Sequence, residues 1–133
     1  MNKKNPSAVT TDKRIRDAGK SKNESAELQE LRPGQSVELL KELHILTRDG
    51  RLNQDSRRKL KQVYHLFNFI EPLLTELSAQ GGGPTLADHG AGKSYLGFIL
   101  YDLYFKALGH GRIYGVETRA ELVEKSRVLA QRL

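Results

Sequence analysis

Asp88-His89-Gly90-Ala91-Gly92 sets a carboxylate two positions ahead of the first of two glycines spaced two apart. A second carboxylate, Glu117, closes the apolar run Ile113-Tyr114-Gly115-Val116. Glycines in such a loop permit tight or left-handed backbone and let a ligand lie against bare main chain. A carboxylate offers paired acceptors, which match the paired donors of a vicinal diol. His89, inside the loop, is a candidate contact for a carboxylate on the ligand. Lys93 follows the loop as a first-turn residue. His44, His65 and His110 have no partners at metal-ligand spacing, so no metal site is expected. No Ser-His-Asp, Cys-His or paired-carboxylate set is visible, and no catalytic residue is assigned.

The elements that must hold these groups follow from periodicity. Thr85 to Asp88 reads as a first strand. From Lys93 to Leu108 the apolar residues Leu96, Phe98, Ile99, Leu100, Leu103, Tyr104, Phe105 and Leu108 predict a deeply packed helix stopped by Gly109 and Gly111. Tyr95, Tyr101 and Tyr104 are expected in its packing, and Asp102 is expected to cap or to face solvent. Arg112 to Glu117 reads as a second strand. Thr118-Arg119-Ala120-Glu121 has the form of a capping box, opening a helix that buries Leu122, Val123, Ser126, Leu129, Ala130 and Leu133. The order is β-α-β-α, and strands joined by a crossover helix run parallel. Two strands make a small sheet, and the chain ends where a third is due.

Ahead of this unit the sequence is helical. Leu39, Leu40, Leu43 and Leu46 predict a helix over about 36–47 that ends at Asp49-Gly50. A second starts near Asp55 or Ser56, either of which can cap it, and carries Leu60, Val63, Phe67, Ile70, Leu74 and Leu77 on one stripe. Pro72 predicts a kink or restart around Phe69 to Pro72. Gln80-Gly81-Gly82-Gly83-Pro84 reads as a flexible hinge and domain boundary. The expected division is a polar, basic, disordered tail over 1–35, a helical segment over 36–80 and a ligand-binding unit over 81–133.

Three ligand classes use a strand, a glycine loop and a helix. Gly92-Lys93-Ser94 fits the end of a P-loop, but its first position falls on Ala87, and Gly82 to Leu86 would have to serve as the strand. Gly90 and Gly92 fit a dinucleotide fingerprint, but Tyr95 occupies the third glycine position. The third class is the S-adenosylmethionine (SAM) loop of class I methyltransferases, acid-x-G-x-G after strand one with an acid after strand two. Asp88, Gly90, Gly92 and Glu117 meet every fixed position.

Asp88 to Leu96, read as Asp-His-Gly-Ala-Gly-Lys-Ser-Tyr-Leu, resembles the methyltransferase-domain family that includes the methyltransferase-like 25 group. Ile113 to Glu117, with Glu121-Leu122-Val123, resembles that family's second strand and following helix. The resemblance implies an incomplete Rossmann-like α/β unit, namely the N-terminal part of a methyltransferase. It implies SAM as cofactor, bound by Asp88, Gly90, Ala91, Gly92 and Glu117. The methyl acceptor, whether RNA, protein or small molecule, is not specified.

Composition bounds these readings. The 133 residues carry 22 basic and 16 acidic side chains, a formal charge of +6, with no cysteine. The excess is spread evenly, +2 in each of residues 1–30, 31–80 and 81–133. The one dense cluster, Arg57-Arg58-Lys59 with Lys61, reads as a solvated helix face. An RNA-binding module resting on it, and a P-loop-like ATP or GTP site, remain the alternatives. No apolar run approaches the roughly 20 residues of a membrane span. The N-terminus lacks a signal-peptide pattern, and a soluble, cytoplasmic protein is expected.

Overall fold

Helix α1 (Val37–Glu42) is held at both ends by side-chain and backbone devices that its apolar stripe does not reveal. Ser36 caps it by accepting the Leu39 N–H at 3.1 Å. In turn the Ser36 N–H donates to Asp102 Oδ2 at 2.7 Å, from 66 residues away. That is the part an acid three residues into the helix plays in a capping box, supplied here from a distant element. At the other end His44 is left-handed (φ 55°). The Ile45 N–H donates to Leu40 O and the His44 N–H to Lys41 O, which is a Schellman termination. The helix therefore ends at Glu42 and not near Thr47. The reversal seats Ile45 and Leu46 in the core beside Leu39, Leu40 and Leu43.

These observations come from a computed structural model that describes residues 29–133. The expected disordered tail lies outside the described residues up to position 28. Gly34 to Leu133 pack as one unit, so the helices before the triple glycine share a core with the strands after it.

Helix α2 runs unbroken from Gln54 to Ala79, with Pro72 inside it. The expected restart does not occur. Asn53 is the cap, accepting the Ser56 N–H at 2.8 Å, rather than Asp55 or Ser56. Leu60, Val63, Phe67 and Leu74 are buried as the stripe predicts, while Leu77 is exposed.

Strand β1 (Thr85–His89) lies parallel to β2 (Arg112–Val116), with Asp88 level with Gly115. The crossover between them is helical. Helix α3 (Tyr95–Leu100) continues into a π-helical turn (Tyr101–Phe105) and closes as α4 (Lys106–Leu108), with Gly109 left-handed at its end. The π turn was not foreseen. Within it Asp102 and Phe105 are both buried. Asp102 neither faces solvent nor caps its own helix; it serves α1.

Phe67 and Leu74 of α2 meet Leu100 and Phe105 in one buried cluster, with Leu86 and Ile113 packed against it. Each such side chain contributes roughly 1.5–3 kcal/mol. The cluster is what fixes the strands relative to the helices. Where the chain enters the sheet, a Cβ on Gly83 would lie 2.4 Å from the Gly111 nitrogen, and one on Gly111 would lie 2.8 Å from Phe105 Cε1. Pro84 is buried, and its carbonyl accepts the Arg112 N–H at 2.9 Å. The end of the triple-glycine stretch is thus packed into the sheet.

Helix α5 (Ala120–Ala130) departs most from expectation. Of its expected buried face only Leu129 is buried, with Leu122 and Ser126 partly covered; Val123, Ala130 and the following Leu133 are exposed. Its N-cap residue is Arg119, with no side-chain cap, so the Thr118 capping box does not form. The Glu117 carboxylate takes the Thr118 N–H, which the Glu121 side chain would accept in the box, and the Arg119 N–H as well.

Candidate ligand site at the strand ends

Both expected carboxylates arrive at the same end of the sheet. Asp88 is half-buried near the end of β1, and Glu117 immediately follows β2. They line one cleft of about 560 Å³ together with Gly92 and Gly115. The cleft runs on past Phe98, Tyr101 and Phe105 of the crossover helix to His110 and Arg112 at the start of β2, and α5 adds Val123 and Arg127, so its remaining walls are mixed apolar and basic.

The loop joining β1 to α3 is folded back onto β2. The Gly90 and Ala91 N–H groups both donate to Val116 O, at 2.8 and 3.0 Å. The Gly92 N–H donates to Glu117 Oε2 at 2.8 Å. Three successive donors are therefore spent on the neighbouring strand, and what the loop presents outward is bare Cα surface. Gly90 and Gly92 have φ of +74° and +59°, a region that side chains disfavour. A Cβ on Gly90 would meet nothing within 4 Å, and neither Gly90 nor Ala91 lines the cleft itself. On the underside Gly115 makes the packing possible: a Cβ there would sit 3.4 Å from both Ala91 Cβ and Ser94 Oγ.

Glu117 is the most elaborately held group. Its Oε1 accepts from Thr118 N at 2.9 Å and Arg119 N at 3.1 Å. The Arg119 guanidinium forks across both oxygens, Nε to Oε1 and Nη2 to Oε2, each at 3.3 Å. Hydrogen bonding from that guanidinium, then from the Arg119 and Gly92 N–H groups, lowers the Glu117 pKa from 4.5 to about 2. At neutral pH it is a carboxylate ready to accept donors.

His89 is the last residue of β1, on the exposed face opposite Asp88, and does not line the cleft. Lys93 is exposed and lines a separate groove with Tyr95, Leu122 and Leu129. Two residues that the motif reading passed over belong to the site. Arg119 covers Glu117, and Ser94, left-handed at φ 60°, accepts a hydrogen bond from Ser126 at 3.2 Å to tie the loop to α5. Ser94 carried a signal as a P-loop position and within the Asp88 to Leu96 resemblance; nothing in the sequence marks Arg119 beyond its place two residues after the acid.

The ladder also bears on the alternatives. Ala87 to His89, which a P-loop would need as loop, are strand residues paired with Tyr114 to Val116. Among the described residues, no group of three or more His, Asp or Glu is placed to hold a metal ion. Among them too, no helix is long and apolar enough to cross a membrane.

A family model described as a methyltransferase domain matches residues 58–133, more than half of the chain. No curated protein and no solved structure matches it.

Proposed function

We propose that this chain, which belongs to the methyltransferase-domain family, binds SAM at the Asp88–Gly92–Glu117 end of its sheet as the cofactor-binding part of a class I, Rossmann-like enzyme. The observation that carries the reading is the meeting of Asp88, Gly92 and Glu117 around one cleft, with the glycine loop hydrogen-bonded to Glu117. Glu117 has two acceptor oxygens, the match for a ribose diol, and in this structure the Arg119 guanidinium bridges them. The bare surface at Gly90 and Gly92 has room for the methionine portion, and half-buried Asp88 stands beside it. Ala91 holds the loop on Gly115, and His89 has at most a contact from the rim. When bound, the cofactor supplies an activated methyl group on a sulfonium. The chain's own part is to fix that group's position and keep its ribose anchored, which is catalysis by alignment. The likeness of Asp88 to Leu96 to the methyltransferase-like 25 group supports the same reading. The acceptor, RNA, protein or a small molecule, is left open by these residues.

Calorimetric titration of S-adenosylhomocysteine into the 133-residue chain, with Mg-ATP in parallel and circular dichroism to establish folding, tests the proposal. Binding of the homocysteine product that Asp88→Ala and Glu117→Ala each weaken supports it. Binding of ATP alone overturns it in favour of a nucleotide-phosphate site.

A further inference from the structure

The Arg119 guanidinium spans the same two oxygens that a ribose would use. Its Nε and Nη2 address Oε1 and Oε2 of Glu117, one donor to each, at 3.3 Å. A cis-diol would place its two hydroxyls in the same one-to-each pattern. The backbone bonds to Glu117, from the Gly92, Thr118 and Arg119 N–H groups, are shorter, at 2.8 to 3.1 Å, and cannot leave; the Thr118 hydroxyl adds a longer one to Oε1 alone, at 3.4 Å. The guanidinium is the removable group that bridges both oxygens. It is the exposed partner: the Arg119 side chain is 60% exposed, that of Glu117 9%. It also leans over the glycine loop, since a Cβ on Gly92 would lie 3.8 Å from its Nη2.

We propose that Arg119 is a latch that occupies the diol-binding edge of Glu117 and swings out when a ribose takes its place, setting how strongly the site discriminates a vicinal diol from a single hydroxyl. The inference rests on the reading of Glu117 as the ribose acceptor. Both oxygens keep their backbone donors whether the latch is open or shut, so Glu117 stays in position during the exchange. A ligand with both hydroxyls replaces both guanidinium bonds. A ligand lacking one hydroxyl leaves one oxygen to the guanidinium, so the latch softens the penalty that the deoxy ligand would otherwise meet. Removing the latch should strengthen binding of the diol and sharpen the discrimination.

Adenosine and 2′-deoxyadenosine, both uncharged, are the probes, so loss of the Arg119 charge does not act through steering. Affinities of both are measured for the wild-type chain, Arg119→Ala, Arg119→Lys and Glu117→Gln, with S-adenosylhomocysteine as reference and circular dichroism for each variant. The Arg119 side of the pair is screened by solvent, so Arg119→Ala should bind adenosine only about 1.4- to 5-fold more tightly. It should gain less for the deoxy ligand, and Arg119→Lys, which keeps the charge but loses the fork, should fall between the two. If Arg119→Ala weakens adenosine, or shifts both nucleosides equally, the latch is overturned while loss of binding in Glu117→Gln leaves the ribose reading standing. If Glu117→Gln binds adenosine as the wild type does, the ribose reading fails, and the latch with it. Absence of binding by every folded variant overturns both.

Discussion

The Glu117 carboxylate accepts the Gly92 N–H at 2.8 Å, joining the end of β2 to the loop that follows β1. One side chain thus does two jobs, shaping the loop and presenting acceptors beside it. Glu117→Gln keeps one acceptor oxygen and replaces the other with a donor, setting N–H against N–H or hydroxyl. Hydrogen bonds to charged groups contribute about 1.5–3 kcal/mol, so S-adenosylhomocysteine affinity should drop roughly tenfold to a hundredfold, as read by calorimetry.

The same carboxylate sets an acid limit. Its pKa is lowered from 4.5 to about 2 in the folded chain. A depressed folded-state value means that its stabilisation is complete above the ordinary value and is lost as the pH falls through 4.5 toward 2. Asp55, through its hydrogen bond from Lys59, and Glu124, through that from Arg127, are shifted in the same direction. The contribution of Glu117 is therefore the difference between two curves. Thermal midpoints measured from pH 2 to 6 should fall more steeply with acid in the wild type than in Glu117→Gln. Parallel curves would assign the acid sensitivity elsewhere.

Asp102 supplies a separate test of how α1 is held. Asp102→Ala leaves the Ser36 N–H without its acceptor, a loss of about 1–3 kcal/mol. Asp102→Asn keeps an acceptor oxygen and should lose less. Chemical denaturation of the two variants measures the gap, and equal losses would show that charge matters more than acceptance.

Two glycines should respond in opposite ways to alanine. At Gly97, within α3, a Cβ would meet Ile113 Cγ2 at an ordinary 3.6 Å, so alanine gains helix propensity of about 0.5–1 kcal/mol. At Gly83 the Cβ would press on the Gly111 backbone at 2.4 Å, and overpacking of this kind costs about 1–3 kcal/mol or more. A thermal shift upward for Gly97→Ala and downward for Gly83→Ala is the expected pair.

Much of this arrangement was legible because it depends on periodicity and short-range spacing. The apolar stripe of α2, the two strands and the glycine stop at Gly109 are local patterns, and they appear where those patterns place them. What was not legible depends on partners remote in sequence. Asp102 has no neighbour that announces Ser36, and the π turn that buries it leaves no periodic trace. The early end of α1 required a left-handed His44, tolerated because Ile45 and Leu46 gain core packing in return. The Thr118 capping box does not form, and Glu117, one residue earlier, accepts the Thr118 N–H that the Glu121 side chain would take in the box. Within the site the acids and glycines were visible from their spacing. The spending of the loop's N–H groups on β2 follows only from the register of the two strands, and the cover that Arg119 gives Glu117 is a side-chain fold-back that no periodicity marks.

The bond from Ser36 to Asp102 has a practical consequence for where the protein can be cut. The stretch with family resemblance begins at residue 58, inside α2 and well past α1. A recombinant piece trimmed to that border would discard Leu39, Leu40, Ile45 and Leu46, all nearly inaccessible to solvent. It would also leave the Asp102 carboxylate facing a hole. The heritable module and the smallest piece able to fold are different lengths of chain, and expression vectors should follow the second.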